Sequence, residues 1–262
     1  MVLRSCNLHG GSCSSFKSKG GSGKTTTAVN LAVGLALKGK KILLVDFDPQ
    51  GNATTSLGLM KREMDNTMRD VLYGKCNIEE AVLETEHDGL SLIPANIKLS
   101  GIEAYLNAQT APIAVLNNKL KNIKENYDYV FIDSPPTLNI IATNVLTASD
   151  SVLIPIQAEP FALEGMVDLL EVIDIVAEDL NSPTQIKGVL LTKFKPKTKL
   201  GREVKAEVQK YFEEELYNTE IPENIRVAEA PGYNKPVISY DPDCTGTKAY
   251  LKLTEEFLKR DE

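Results

Sequence analysis

The sequence is poor in cysteine and histidine: its 262 residues include four cysteines and two histidines. Because no two cysteines stand in Cys-x-x-Cys spacing, they suggest neither a zinc site nor a disulfide framework, and a reducing cytoplasm is the expected compartment. Long apolar runs are also missing. None approaches the roughly 18 residues of a membrane-spanning helix, and the N-terminus lacks the apolar core of a secretory signal. No membrane association is therefore expected.

An excess of basic charge is absent as well. The 29 lysines and arginines are outnumbered by 36 aspartates and glutamates, so the formal net charge is -7. This balance argues against a protein that coats nucleic acid with its whole surface, and any DNA contact must be a local patch. A hydrophobic fraction of 42% and a charged fraction of 25% are ordinary globular values. With no linker in mid-chain, the length predicts one large domain.

A glycine-rich stretch near the N-terminus reads Lys-Gly-Gly-Ser-Gly-Lys-Thr-Thr. Its glycines let successive backbone N–H groups turn inward around phosphate oxygens, Lys24 can place a cation on the β- and γ-phosphates of ATP, and Thr25 offers a hydroxyl to Mg²⁺. Apolar residues at helical spacing follow at once, so the positive end of a helix also faces the anion. The predicted nucleotide-binding residues of this loop are Lys19, Gly20, Gly21, Ser22, Gly23, Lys24, Thr25 and Thr26.

The segment in front of this loop departs from what such a loop needs. A strand should precede it, and a central strand of a parallel sheet is a continuous apolar run. Residues 10–18 offer only Cys13 and Phe16 as plausible buried residues. We expect residues 1–18 to be irregular or to form an atypical first strand, and residues 19–262 to form a single P-loop ATPase domain. If the segment is native, its strand should be weak and the affinity for ATP reduced. An altered N-terminus, such as a frame error, explains this segment better than a different architecture.

Two continuous apolar runs end in aspartate. Residues 42–45 lead to Asp46 and Asp48, and residues 129–132 lead to Asp133. Such runs are typical of strands buried on both faces, and ligands of open α/β sheets bind at the carboxyl ends of the strands. The sequence therefore predicts a doubly wound, mostly parallel sheet with helices on both faces, of the P-loop NTPase class. A helix is also predicted from about Pro112 to Asn126.

Three motifs in this order resemble those of one family. The Lys-Gly-Gly-x-Gly-Lys-Thr pattern, with its additional Lys19, resembles the deviant Walker A motif of the ParA/MinD ATPases. The segment from Asp46 to Thr54 resembles switch I of the ParA/Soj chromosome and plasmid partitioning ATPases. The strand that ends at Asp133 resembles their Walker B motif. The resemblance covers roughly residues 19–260.

The resemblance implies roles for individual residues. Lys19 would cross a dimer interface and touch the phosphates that the partner subunit binds. Asp48 would position the attacking water, while Asp46 would support the metal and its waters. The predicted catalytic residues are Lys19, Lys24 and Asp48, and the predicted metal ligands are Thr25 and, through a water, Asp133.

Two further groups of residues are implied in the C-terminal third. The family's Pro-x-Asn segment borders the adenine, which makes Pro222 and Asn224 the predicted base-side residues. In ParA proteins that bind DNA without sequence preference, a basic patch contacts the phosphates. The residues predicted for this patch are Lys197, Lys199 and Arg226. Glu223 stands where the family commonly has a basic residue, which weakens the patch.

The resemblance implies a partitioning ATPase that forms an ATP sandwich dimer and binds DNA non-specifically in the cytoplasm, in association with the nucleoid. Slow ATP hydrolysis, stimulated by a ParB-like partner, would switch it. One alternative within the fold is an orphan ParA/MinD-like ATPase that positions a protein cargo. Another is a metabolic P-loop ligase related to dethiobiotin synthetase. A redox protein like the nitrogenase iron protein is disfavoured, because no cysteine lies between Cys76 and Cys244.

Overall fold

The structure is a computed structural model that describes residues 5–6, 9–10, 12–14, 21–137, 139–159 and 185–261. For the first three pieces it describes the strand pairing of the backbone. Lys19 and Gly20 lie outside the described residues. The elements below are numbered along the described part of the chain.

Seven strands form one sheet, and a separate two-stranded antiparallel pair lies at the N-terminus. The pair consists of β1 (Ser5–Cys6) and β2 (His9–Gly10). The strands of the sheet are β3 (Ser12–Ser14), β4 (Ile42–Asp46), β5 (Leu83–Glu84), β6 (Leu90–Ile93), β7 (Tyr129–Asp133), β8 (Ser151–Gln157) and β9 (Gln185–Thr192). Their order across the sheet is β5-β6-β4-β7-β3-β8-β9. All pairings in it are parallel except that of β5 with β6.

The helices are α1 (Lys24–Leu37), α2 (Asn52–Ser56), α3 (Met68–Leu72), α4 (Ile102–Asn107), α5 (Val115–Leu120), α6 (Ile140–Thr147), α7 (Lys199–Tyr211), α8 (Ile225–Glu229), α9 (Val237–Tyr240) and α10 (Thr245–Lys259). With the mostly parallel sheet they give the predicted doubly wound α/β architecture. Within the described ranges, no helix is both long enough and apolar enough to cross a bilayer.

The strand before the glycine-rich loop is short. Three residues form β3, which lies at the centre of the sheet between β7 and β8. Cys13 stands opposite both Phe131 and Ser151 in the register of these pairings. The chain therefore enters the loop from the middle of the sheet, as a phosphate-binding loop does, although the sequence of β3 is not the apolar run of its neighbours.

The predicted helix from Pro112 to Asn126 was wrong in its extent. The structure has α5 from Val115 to Leu120 and then a separate 3₁₀ turn at Ile123–Asn126. Asparagine, which is frequent in this segment, competes for backbone hydrogen bonds and is a poor residue for a helix interior. Both pieces bury leucine or isoleucine in the core.

Close packing fixes α1 between the sheet and α10. Apart from its first turn and its C-terminal end, α1 is buried almost throughout. Gly34 lies so near α10 that a Cβ atom added to it would be 2.1 Å from the Thr254 hydroxyl oxygen. Near the start of α1, the hydroxyls of Thr27 and Tyr250 are 3.4 Å apart. The helix that carries the loop at its N-terminus therefore has little freedom to shift.

Candidate functional site

The described part of the glycine-rich loop has the backbone conformation of a phosphate cradle. Gly21 and Gly23 have positive φ angles of 119° and 81°, which residues with a side chain rarely adopt. Gly23 is the N-cap of α1, and its carbonyl accepts a hydrogen bond of 2.8 Å from the N–H of Thr27. The loop thus passes directly into the N-terminus of a buried helix, where backbone N–H groups and the helix dipole favour an anion.

Lys24, the first residue of α1, has its side chain among acidic groups. It is 8% exposed. Burial lowers the pKa of Lys24, whereas the carboxylates of Asp133 and Asp48 raise it. The structure therefore brings together three residues that the sequence predicted for one site.

Asp46, at the end of β4, holds the loop that follows. Its Oδ2 atom accepts hydrogen bonds from the Thr54 hydroxyl at 2.7 Å and the Thr54 N–H at 2.9 Å, and Oδ1 accepts one from the N–H of Asp48 at 3.2 Å. Complete burial raises the pKa of Asp46 to about 6, although the donors from Thr54 and Asp48 lower it. The structure gives Asp46 a positioning role, and a direct part in supporting the metal stays a prediction.

The loop between β4 and α2 is folded tightly around Asp48. The Oδ1 atom of Asp48 accepts a hydrogen bond of 2.8 Å from the N–H of Gln50. Gly51 has a φ angle of 60°, and a Cβ atom there would lie 2.6 Å from the carbonyl oxygen of Ala95. Lys61 donates a hydrogen bond to the carbonyl oxygen of Gln50. These contacts keep the Asp48 carboxylate at the wall of the cavity that the glycine-rich loop borders.

Asp133 ends β7 directly beside Asp46, with which it pairs in register. Burial, followed by the charge of Asp46, raises the pKa of Asp133 to about 7, against the lowering effect of the Thr25 hydroxyl. Neither carboxylate oxygen has a partner of standard hydrogen-bond geometry among the described residues. A buried carboxylate with so few donors fits a hydrated cation near Thr25, because the water ligands of Mg²⁺ would donate to it.

One cavity of about 810 Å³ joins these groups. Its walls include the described loop residues Gly21 to Thr26, Asp48, and Ser134 and Pro136 after β7. The cavity is also lined by Pro222 and Asn224, which belong to the loop before α8. The two regions are almost 200 residues apart in sequence. The volume is in the range of small-molecule sites.

Asn224 also has a structural role that its sequence context did not reveal. Its side-chain oxygen caps α8 by accepting a hydrogen bond of 2.8 Å from the N–H of Arg226. Its amide nitrogen donates to the Thr245 hydroxyl at 2.7 Å. Both ends of the amide are therefore engaged, and a base contact by Asn224 stays a prediction.

The three residues predicted to bind DNA differ in how their charge is compensated. Arg226 forms ion pairs with Glu229 at 3.0 Å and with Asp241 at 3.3 Å. Lys199 lies 3.6 Å from Glu203 and is largely exposed. No ion pair joins Lys197 to any residue of the described ranges. The patch is thus less basic than its sequence indicates.

Several residues of the site were not foreseen from the sequence. Thr54 bridges Asp46 to the segment that follows β6, because its hydroxyl also accepts a hydrogen bond of 3.1 Å from the N–H of Ala95. Thr192 donates to the carbonyl oxygen of Ser22 at 2.7 Å and so ties β9 to the glycine-rich loop. Lys193 and Tyr250 line the cavity. Only Thr54 lies in a stretch that the motifs covered.

Comparison with known proteins agrees with this geometry. The family model described as an AAA domain matches residues 13–186. The sporulation initiation inhibitor protein Soj of Bacillus subtilis (strain 168) is 46% identical over 238 residues, which cover 91% of this chain and 94% of Soj. The chain belongs to the ParA/Soj family of partitioning ATPases. The chromosome partitioning protein ParA of Caulobacter vibrioides (strain NA1000 / CB15N) is 43% identical, over 93% of this chain and 92% of its own length.

A solved structure confirms the fold of this ParA/Soj chain. Cobyrinic acid a,c-diamide synthase from Mycobacterium smegmatis, solved with ADP and magnesium, superposes with a TM-score of 0.80 and 29% sequence identity. The likeness covers 94% of this chain and 93% of the synthase. The predicted P-loop fold and the predicted family are thus both confirmed.

Proposed function

We propose that this ParA/Soj chain binds ATP with Mg²⁺ in the 810 Å³ cavity and hydrolyses it to switch a partitioning cycle. One observation carries the proposal. The buried ammonium of Lys24 lies at the N-terminus of α1 and interacts electrostatically with Asp133 and Asp48. It follows a loop whose described glycines have the positive φ angles of a phosphate-binding loop. The synthase with bound ADP and magnesium, and the family membership, support the choice of nucleotide and metal.

The residues of the site have separate proposed roles in binding the phosphates and the metal. Backbone N–H groups of the loop and the Lys24 ammonium would bind the phosphate chain. Thr25 would ligate the metal directly, and Asp133 would hold one of its waters. When bound, Mg²⁺ neutralises charge on the β- and γ-phosphate oxygens. Burial lowers the pKa of Lys24, and the carboxylates of Asp133 and Asp48 oppose that shift, because each of them favours the protonated form that binds phosphate.

Asp48 would orient the attacking water. The new bond forms between the water oxygen and the γ-phosphorus, and the bond to the oxygen that bridges the β- and γ-phosphates breaks. The water gives one proton to an oxygen of the released phosphate, and ADP and phosphate leave. The hydrogen bond from the N–H of Gln50 holds the Asp48 carboxylate in one direction. Loss of the γ-phosphate would then release the segments that carry Asp48 and Ser134.

The finer parts of the cycle are proposals that rest on the family. Lys19 reaches the phosphates of a partner subunit, so ATP binding produces a sandwich dimer. The dimer binds DNA without sequence preference through Lys197, Lys199 and Arg226, and a ParB-like protein accelerates hydrolysis. The ion pairs of Arg226 with Glu229 and Asp241 predict a weak patch that is sensitive to salt.

The change Lys24→Ala tests the nucleotide site. Calorimetric titration with Mg²⁺ and ATP should show one site per chain in the wild type and no measurable binding in the variant. Lys38→Ala is the matched control, because Lys38 caps the opposite end of the same helix and pairs with exposed Glu255. Equal affinities of the Lys24 variant and the wild type would refute the site.

A metabolic ligase is the second candidate, and the likeness to the synthase favours it. The two candidates differ in what stimulates ATP hydrolysis. A partitioning ATPase responds to duplex DNA together with a ParB-like protein. A ligase responds instead to a small carboxylic acid and an amine donor, in the absence of DNA. Phosphate release under these two conditions separates them.

A further inference from the structure

Lys193, which follows β9 at the cavity wall, has an unusual backbone conformation. Its φ angle is 47°, in the left-handed region. Within the described ranges, one other residue with a side chain has a positive φ, and that residue is Asn234. Asparagine tolerates this region well, whereas lysine is strained there. Strain of this kind persists when neighbouring contacts impose it, and it occurs preferentially at functional sites.

Those neighbouring contacts are on the two sides of Lys193. Before it, the buried Thr192 hydroxyl donates to the carbonyl oxygen of Ser22 at 2.7 Å. After it, the N–H of Phe194 donates to the carbonyl oxygen of Ile221 at 2.9 Å. One contact ties the segment to the glycine-rich loop and the other to the loop of Pro222. Lys193 therefore lies between two anchored residues, each bonded to a segment that lines the cavity.

The side chain of Lys193 reaches the glycine-rich loop. Its Nζ atom lies 3.6 Å from the position of a Cβ atom built on Gly21. Gly21 lines the cavity together with Lys193 itself. Lys195, two residues further along the chain, differs from it and forms an ion pair of 2.6 Å with Glu223. No described carboxylate forms an ion pair with Lys193, so its charge is available to an anion in the cavity.

We propose that Lys193 is a second lysine of the nucleotide site, whose Nζ atom binds a non-bridging phosphate oxygen at the Gly21 side of the loop. This inference rests on the proposed nucleotide site. An ammonium group has donors and no acceptor, and it binds phosphate as a point charge. Lys24 then contacts the phosphate chain from the N-terminus of α1, and Lys193 contacts it from the end of β9.

The test uses Mg²⁺ with ADP as the probe, so that an ATP-dependent dimer does not enter the measurement. Calorimetric titration should give an ADP dissociation constant about tenfold higher for Lys193→Met than for the wild type, as for one lost charge-assisted hydrogen bond. Lys193→Arg should keep most of the affinity. Lys210→Met, on the exposed face of α7 beside Glu207, is the control for loss of one positive charge and should bind ADP like the wild type.

A second variant separates a binding role from damage to the fold. Lys193→Gly removes the side chain and also relieves the left-handed backbone, so its melting temperature without nucleotide should rise while its ADP affinity falls. Unchanged ADP affinity in both Lys193→Met and Lys193→Gly overturns the inference, and so does an equal loss in Lys210→Met. If the wild type itself fails to bind ADP or ATP, the proposed function fails instead, which the Lys24→Ala experiment detects separately.

Discussion

The change Thr54→Val should destabilise the protein far more than its conservative size suggests. The Thr54 hydroxyl is fully buried, donates to Asp46 at 2.7 Å and accepts from the N–H of Ala95 at 3.1 Å. Valine keeps the shape of threonine and removes both hydrogen bonds. The carboxylate then loses one of its donors, and the N–H of Ala95 loses its acceptor.

The free-energy costs of losing these two hydrogen bonds can be worked out separately. A hydrogen bond to a charged group contributes about 1.5 to 3 kcal/mol, and a buried donor left without an acceptor costs about 1 to 3 kcal/mol. The methyl group gained by valine offsets about 1 kcal/mol. The free energy of unfolding should therefore fall by about 3 kcal/mol. The matched control is Thr55→Val on the same helix, where the half-buried hydroxyl donates only to the carbonyl oxygen of Gly51 at 2.9 Å. The free energy of unfolding of Thr55→Val should fall by less than about 1 kcal/mol.

Urea unfolding followed by circular dichroism measures both changes. Because the pKa of Asp46 is raised to about 6, this carboxyl is largely ionised near neutral pH and largely protonated in more acidic solution. The loss in the Thr54 variant should shrink at about pH 5, since the ionised acceptor is then mostly absent. Equal losses in the Thr54 and Thr55 variants would refute the bridging role of Thr54.

Three further predictions follow from the site and its supporting helix. Without nucleotide and metal, the free energy of unfolding should fall as pH rises from roughly 4 to 7. The pKa values of Asp46 and Asp133 are raised from 3.8 to about 6 and about 7, so the folded state keeps more protons than the unfolded state over this range. A free energy of unfolding that rises over this range in urea titrations would contradict the prediction. Asp48→Ala should bind ATP, release no phosphate and accumulate as a dimer in gel filtration, so normal turnover would count against its role. Gly34→Ala should lower the melting temperature, because the new Cβ atom would lie 2.1 Å from the Thr254 hydroxyl oxygen. Adding Thr254→Ala removes that hydroxyl and should restore part of the loss. Additive changes in melting temperature for the two substitutions would speak against this contact.

The main features of the site could be predicted because each depends on local sequence. A continuous apolar run that ends in aspartate predicts both a buried strand and a carboxylate at the carboxyl end of that strand, as for Asp46 and Asp133. The glycines of the loop predict a backbone that turns its N–H groups inward around phosphate, and the positive φ angles of Gly21 and Gly23 agree with such a turn. These predictions needed no knowledge of distant contacts.

Other features could not be predicted, because distant contacts decide them. Lys193 has its left-handed angle between Thr192 and Phe194, which bond to Ser22 and Ile221, and both of these lie far away in sequence. The ion pairs of Arg226 with Glu229 and Asp241 exist only in the folded chain. The central place of β3 follows from its pairing with β7 and β8, and its own composition argued against a strand.

The most direct test of the account is phosphate release from ATP by the purified chain. We predict slow, steady release in the presence of Mg²⁺, no release when Mg²⁺ is chelated, and none from Lys24→Ala, while Lys38→Ala releases phosphate at the wild-type rate. Release from the Lys24 variant at the wild-type rate would contradict the central claim.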